Sequence, residues 1–98
     1  MASPVACVGD TFRGYCHTGH HGSITGTIET GNELLSLDGK RVAVTGCIAR
    51  GSCGCEGVVQ GRSTLLSLEG KPVARVGDPI TGTIEGEITS GSDLLAID

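Results

Sequence analysis

Histidine and cysteine residues concentrate in two short stretches of this 98-residue chain. All three histidines and one cysteine lie within residues 16–21, and three further cysteines lie within residues 47–55. Imidazole and thiolate are ligands that Zn²⁺ prefers, and four of them complete its tetrahedral coordination. If the fold brings the two stretches together, they predict one zinc site. The alternative is a solvated histidine tract, with the cysteines acting as small core residues.

The spacing of these residues predicts a structural site. A Cys-x-Cys pair occurs at residues 53–55, but the paired Cys-x-x-Cys spacing of zinc fingers and ribbons is absent. A site with four protein ligands leaves no position for water, so it does not activate one. The sequence also lacks a nucleophile elbow, a zinc-protease helix motif and a phosphate-binding loop. We therefore expect no enzyme activity.

Composition and charge exclude several classes of protein. The net charge is −4 and the seven lysine and arginine residues are spread along the chain, with no run longer than the pair at residues 40–41, so nucleic acid is an unsuitable partner. Residues 1–4 begin no charged and apolar leader, and the apolar runs are too short to span a bilayer, so we expect a chain made in the cytoplasm. One Phe, one Tyr and no Trp predict a thin core that a metal ion would stabilise.

An internal repeat defines the elements that must position the cluster. Leu-Leu-Ser-Leu at residues 34–37 recurs 31 residues later at residues 65–68, and each copy is followed by an acidic residue and glycine. An acidic-Gly pair between apolar strands predicts a hairpin with a type I′ turn. Residues 90–98 match only the first strand of the unit, and residues 4–10 match its return strand. We therefore expect the two chain ends to pair as a third hairpin.

Three hairpins joined by Gly-rich connectors predict a closed, pseudo-three-fold object. The connectors, residues 11–29, 47–59 and 79–89, show no helical periodicity. Ile-Thr-Gly-Thr-Ile-Glu occurs in two of them, at residues 24–29 and 80–85, and its alternation predicts a half-buried strand in both. Small residues on the return strands suit a crowded axis: Ala6 and Val8, Ala43 and Thr45, Ala74 and Val76. We predict one all-β domain over residues 1–98, a small pseudo-three-fold cone of short strands and hairpins with a metal site near its apex.

Three copies of one motif carry a resemblance to a known family. Residues 72–78 read Pro-Val-Ala-Arg-Val-Gly-Asp, residues 4–10 read Pro-Val-Ala-Cys-Val-Gly-Asp, and residues 41–47 read a degenerate Arg-Val-Ala-Val-Thr-Gly-Cys. The chain resembles the Pro-Ala-Ala-Arg repeat (PAAR) family over nearly its whole length. The resemblance implies a β-rich cone that binds zinc near its apex through three histidines and one cysteine.

The resemblance also implies a ligand set. The third connector has no histidine, so the three would come from the first connector, as His17, His20 and His21. The fourth ligand would come from the second connector, and we expect Cys53, with Cys55 and then Cys47 as alternatives. Adjacent histidines bind one ion awkwardly, so Cys16 or a second connector cysteine could replace one of them.

The function implied by the resemblance is that of a structural spike-tip protein. Such a protein caps and sharpens the trimeric β-helical spike of a contractile injection machine and aids membrane piercing. The spike would be a valine-glycine repeat G-like protein in a type VI secretion system or a tail spike in a phage. One chain would pair its three hairpins with three spike subunits by β-augmentation. It would stay cytoplasmic until assembled and then touch a target membrane transiently, at a virion tail tip or on secretion by injection. We expect no toxin domain fused after the last strand. The alternative is a small cytoplasmic metal-buffering or redox protein.

Overall fold

The computed structural model describes residues 3–16, 23–52 and 54–97, which form strands and turns without any helix. In these ranges there is accordingly no helix of the length and apolarity needed to cross a membrane. In chain order the strands are β1 (Ser3–Val5), β2 (Thr11–Cys16), β3 (Ser23–Ile28), β4 (Asn32–Leu37), β5 (Lys40–Val42), β6 (Ile48–Gly51), β7 (Glu56–Val59), β8 (Ser67–Leu68), β9 (Lys71–Pro72), β10 (Pro79–Gly82), β11 (Ile84–Ile88) and β12 (Ser92–Ile97).

Two of the three predicted hairpins are closed by the expected turns. β4 pairs with β5, and β8 pairs with β9. Asp38 and Gly39 have φ angles of 55° and 78°, and Glu69 and Gly70 have φ angles of 54° and 79°. Positive φ at both central residues defines the type I′ turn, which matches the right-handed twist of the flanking strands. The prediction from the acidic-Gly pairs is confirmed.

The third hairpin is formed by the two ends of the chain, as predicted. β1 and β12 are antiparallel, with Ser3 opposite Ile97 and Pro4 opposite Ala96. No turn joins these strands, because they lie at opposite ends of the sequence. The repeat is thereby completed three times around one axis.

A ring of backbone hydrogen bonds joins the three return strands at that axis. Ala6 N donates to Ala74 O at 3.0 Å, Ala74 N donates to Ala43 O at 2.9 Å, and Ala43 N donates to Ala6 O at 2.9 Å. All three alanines are fully buried. Methyl side chains allow three backbones to approach this closely, so the prediction of a crowded axis is confirmed for the alanines. Their predicted companions are only half-buried: Val8, Thr45 and Val76.

The connectors form a closed antiparallel barrel in the order β10-β11-β2-β3-β6-β7. Inward positions carry the core, which includes Phe12, Ile28, Val59, Ile80 and Ile88. So narrow a barrel has no room for six large side chains at every level, and glycine alternates with them. Three cross-strand pairs of glycines lie where neighbouring connectors meet: Gly14 with Gly86, Gly26 with Gly51, and Gly57 with Gly82.

The glycine at residue 26 illustrates why a side chain is excluded there. A Cβ atom on Gly26 would lie 2.7 Å from the Phe12 ring and 2.7 Å from Gly51 Cα, and it would also overlap the Arg50 carbonyl oxygen. Such distances are far inside van der Waals contact, so the strands could not approach this closely with alanine. A Cβ atom on Gly14, Gly57 or Gly86 would overlap its neighbours in the same way, so these glycines and Gly26 set the narrow width of the barrel.

One prediction about the connectors is wrong. Residues 24–29 continue as a single strand, β3, as far as Ile28, whereas residues 80–85 are divided between β10 and β11. Gly82 has a φ of 99°, and the chain reverses there, so that Ile80 pairs with Gly86. The first connector has residues 11–28 for its two strands, but the third has only residues 79–88, so the repeated hexapeptide must supply the turn as well.

Candidate functional site

The barrel brings together the strand ends that bound the two sequence segments in which metal ligands are predicted. Neighbouring barrel strands are antiparallel, so β2, β6 and β10 all run toward one end, and β3, β7 and β11 all begin there. We call this the narrow end. His17, His20, His21 and Cys53 themselves lie outside the described residues. The described residues that flank the histidine segment are Cys16, which ends β2, and Ser23, which begins β3. Those that flank Cys53 are Ser52 and Gly54, in the turn between β6 and β7.

Two further cysteines belong to the narrow end. Cys16 is the last residue of β2 and is buried, and Cys55 precedes β7 and is half-buried against the same apolar core. Thiolates suit Zn²⁺, so the chemistry of these two side chains fits the predicted ion. Both alternatives suggested by the sequence, Cys16 and Cys55, therefore remain compatible with a site at this end.

The remaining alternative ligand, Cys47, is in the wrong place. Cys47 precedes β6, whose four residues span about 13 Å at the usual rise of a strand, and so it lies at the end opposite Gly51. Its sulfur accepts a hydrogen bond from Val44 N at 3.4 Å. In the two other copies an aspartate takes this role: Cys7 N donates to Asp10 Oδ2 at 2.7 Å, and Arg75 N donates to Asp78 Oδ2 at 2.9 Å. Cys47 thus caps a turn.

Cys7 is likewise unsuited to exchange or redox chemistry. It is 1% exposed on the return strand. Burial, reinforced by the negative charge of Asp10, raises the pKa of its thiol to about 11 although Lys40 acts in the opposite direction. The thiolate is the reactive form, so a thiol with this pKa stays inert at neutral pH.

The turn between β6 and β7 is held by its own backbone. Gly51 N donates to Cys55 O at 2.8 Å, and Gly54 N donates to Gly51 O at 2.9 Å. Ser52 N donates to Thr25 O of β3 at 2.7 Å, which fastens the turn to the neighbouring strand. The backbone of Cys55 is therefore fixed relative to both β3 and β6.

The opposite, broad end carries a second candidate site that sequence reasoning missed. Leu34, Leu65 and Leu94 occupy equivalent positions in the three hairpins and are 64%, 68% and 65% exposed. The neighbouring apolar residues of the hairpins pack inward against the core: Leu35, Leu37, Leu66, Leu68, Leu95 and Ile97. A single exposed leucine is ordinary, but three at equivalent positions of a repeat indicate an interaction surface. We call them the leucine triad.

The same local turn holds each leucine of the triad in place. Leu34 N donates to Asn32 Oδ1 at 2.8 Å, Leu65 N to Ser63 Oγ at 3.2 Å, and Leu94 N to Ser92 Oγ at 3.1 Å. Asn and Ser side chains form such turns with the N–H two residues later. Aligning the repeat copies places these three polar residues in register, which was the available signal for the triad.

Comparison with known protein families matches residues 18–82 to the PAAR motif, which is more than half of the chain. The chain belongs to the PAAR family. The resemblance and the all-β cone predicted from the sequence are thereby confirmed. No curated protein matches the chain. PAAR proteins are structural, not enzymatic, and the motif supports a spike-tip protein of contractile injection systems.

Proposed function

We propose that this PAAR protein caps a trimeric β-helical spike, with its broad end against the spike and its narrow end pointing outward. The leucine triad carries the proposal. A spike with true three-fold symmetry presents the same surface three times, and one chain can match it only by repeating its own surface. Three leucines, fixed by equivalent turns, meet that requirement in a single monomer.

The narrow end would serve as the piercing tip, with Zn²⁺ tying its loops together. His17, His20, His21 and Cys53 would hold the ion, with Cys16 or Cys55 as a replacement for one of them. The ion would supply no catalysis, because four protein ligands leave no site for water. Its binding energy would instead stabilise a domain whose core is small.

In this proposal the protein waits in the cytoplasm until assembly and then reaches a target membrane at the tip of a phage tail or a type VI needle. A metal-buffering or redox role would require thiols that exchange with solvent. Burial of Cys7, Cys16 and Cys47 weighs against that alternative.

The docking proposal is tested by binding to the trimeric spike protein of a contractile injection system. We expect one chain per spike trimer. Burying the exposed part of one leucine contributes about 1–2 kcal/mol, so Leu65→Ser should weaken binding about tenfold, and the triple change at Leu34, Leu65 and Leu94 should abolish detectable binding. The measurement is a titration followed by calorimetry, with stoichiometry from analytical ultracentrifugation.

Tyr15 offers a matched control for the leucine substitutions. It is 59% exposed, as the leucines are, but it lies on the outer face of β2. Tyr15→Ser should leave binding to the spike unchanged. Equal affinity of the wild type and the triple leucine variant would overturn the proposal, as would an equal loss of affinity with Tyr15→Ser.

The zinc proposal is tested by elemental analysis of protein purified without chelator. We expect about one equivalent of zinc. His17→Ala should lower stability by several kcal/mol, since structural zinc contributes about 10–16 kcal/mol in small zinc domains and one ligand carries part of it. A metal-free protein whose melting temperature does not change on adding zinc would contradict this expectation.

A further inference from the structure

Arg50 joins three segments on the outer face of the barrel. Its Nε donates to Glu29 Oε1 at 2.7 Å, and its Nη2 donates to Glu56 Oε2 at 2.6 Å. Arg50 lies opposite Thr27 of β3 and opposite Glu56 of β7. On the two sides of β6, one guanidinium therefore bridges Glu29, which follows β3, and Glu56 of β7. The hydrogen bond to Glu29 and the two negative charges raise the pKa of Arg50, so it stays charged.

The third contact of this guanidinium reaches the turn at the narrow end. Arg50 Nη1 lies 3.5 Å from the Gly54 carbonyl oxygen, at the outer limit of a hydrogen bond. Gly54 immediately precedes Cys55 in the sequence, and Glu56 immediately follows Cys55. The guanidinium therefore contacts the chain immediately before and immediately after Cys55, on a turn whose backbone is already fastened to Thr25.

Stability alone does not account for this arrangement. Exposed ion pairs between arginine and glutamate contribute about 0–1 kcal/mol, and all three side chains here are solvent-exposed. The geometry has a different consequence, because a planar fork with several donors can fix the relative positions of several acceptors. What Arg50 fixes is the path of the turn that carries Cys55.

We propose that Arg50 is a positioning residue for the thiolate-bearing turn of the metal site. The inference rests on the proposed function, because it presumes that zinc binds at the narrow end. Residues just outside the ligands orient them, and losing such a residue commonly reduces metal affinity 10- to 100-fold. With Arg50 in place, the backbone on both sides of Cys55 is fixed before the ion arrives, so binding does not have to order it.

The matched control is a second exposed arginine that also pairs with a glutamate. Arg41 Nη1 lies 3.8 Å from Glu33 Oε1 on the β4–β5 hairpin, at the broad end. Arg41→Ala removes the same side chain and a similar ion pair without touching the turn. Arg50→Lys is the conservative variant, since it keeps the charge but loses the fork that reaches several acceptors at once.

The experiment measures zinc affinity by competition with a chelating dye, the Co²⁺ absorption spectrum, and thermal unfolding of the metal-free protein. Arg50→Ala should bind zinc at least tenfold more weakly than wild type and should shift the thiolate-to-cobalt absorption bands. The zinc affinity of Arg50→Lys should fall between those of wild type and Arg50→Ala. Arg41→Ala should match wild type in affinity and spectrum, and the metal-free melting temperatures of Arg50→Ala and Arg41→Ala should agree within a few degrees.

Three outcomes would refute the inference, and they can be told apart. If wild type binds zinc and Arg50→Ala binds it as tightly as Arg41→Ala, with the same cobalt spectrum, the role of Arg50 is refuted and the zinc proposal stands. If wild type binds neither zinc nor cobalt, both proposals are refuted. A lower metal-free melting temperature for Arg50→Ala with unchanged zinc affinity would assign Arg50 a purely structural role and also refute the inference.

Discussion

The sequence Ile-Thr-Gly-Thr-Ile-Glu occurs twice in this chain and adopts two different structures. At residues 24–29 it runs along one strand, β3, with Ile24 and Ile28 both facing the core. At residues 80–85 it ends β10, reverses at Gly82 and begins β11, and here too both isoleucines are buried. Either path satisfies the local pattern of buried isoleucines, so that pattern could not choose between them.

The capping residues of the repeat show the converse, because different residues there produce the same structure. Asp10, Cys47 and Asp78 each accept a hydrogen bond from the backbone N–H three residues earlier. The position of a residue in the repeat decides its role more firmly than its local sequence does. Identical hexapeptides diverge because they occupy different positions, and dissimilar caps converge because they occupy equivalent ones.

The sharpest test of the hexapeptide comparison replaces its central glycine in each copy. Gly26→Ala should lower the free energy of unfolding by about 3 kcal/mol or more, because the new methyl group would overlap Phe12 and the neighbouring backbone. Gly82→Ala should lower it by only about 1–2 kcal/mol, because nothing lies within 4 Å of the new Cβ and the cost is that of positive φ. Denaturant unfolding of both variants measures the difference, and equal losses would contradict the comparison.

The capping comparison is tested by restoring the consensus residue in the middle copy. Cys47→Asp should raise the free energy of unfolding by about 1 kcal/mol, because a carboxylate is a stronger acceptor than sulfur for Val44 N. Asp78 additionally accepts from Arg62 N at 3.0 Å, which shows that the motif can satisfy a buried carboxylate. The gain should disappear below about pH 4 as the new carboxylate is protonated. Destabilisation at pH 7 would mean that the copies are not equivalent at this position.

The smallest expected effect concerns the threonines of the hexapeptide. Thr81 Oγ1 accepts a hydrogen bond from Gln60 Nε2 at 3.2 Å, so Thr81→Val should cost about 0.5–1 kcal/mol. Thr25 is its counterpart in the first copy and its side chain is exposed, so Thr25→Val should change stability by less than about 0.5 kcal/mol. Thermal unfolding of the two variants under the same conditions compares them directly. A larger loss for Thr25→Val would reverse the assignment of the two environments.

Much of the fold was predictable because it depends on turn residues that act over a short range and on an internal repeat. The acidic-Gly pairs determine both turns, and the matching half-units at residues 4–10 and 90–98 determine that the chain ends pair. The small residues Ala6, Ala43 and Ala74 determine that three backbones can meet at one axis. The ligand set of His17, His20, His21 and Cys53 stays a prediction, since those residues lie outside the described ranges.

What the sequence determined by itself was therefore the repeating unit and its three-fold closure, since turn conformation and alternation depend on near neighbours. Tertiary structure alone decided where the third connector reverses, that Cys47 caps a turn far from the narrow end, and that Leu34, Leu65 and Leu94 face solvent together. The local turns and caps are short-range, but where they lie relative to the two ends of the molecule depends on contacts between residues distant in sequence. Only the closed barrel and the ring of return strands bring those residues together, so local patterns do not specify these placements.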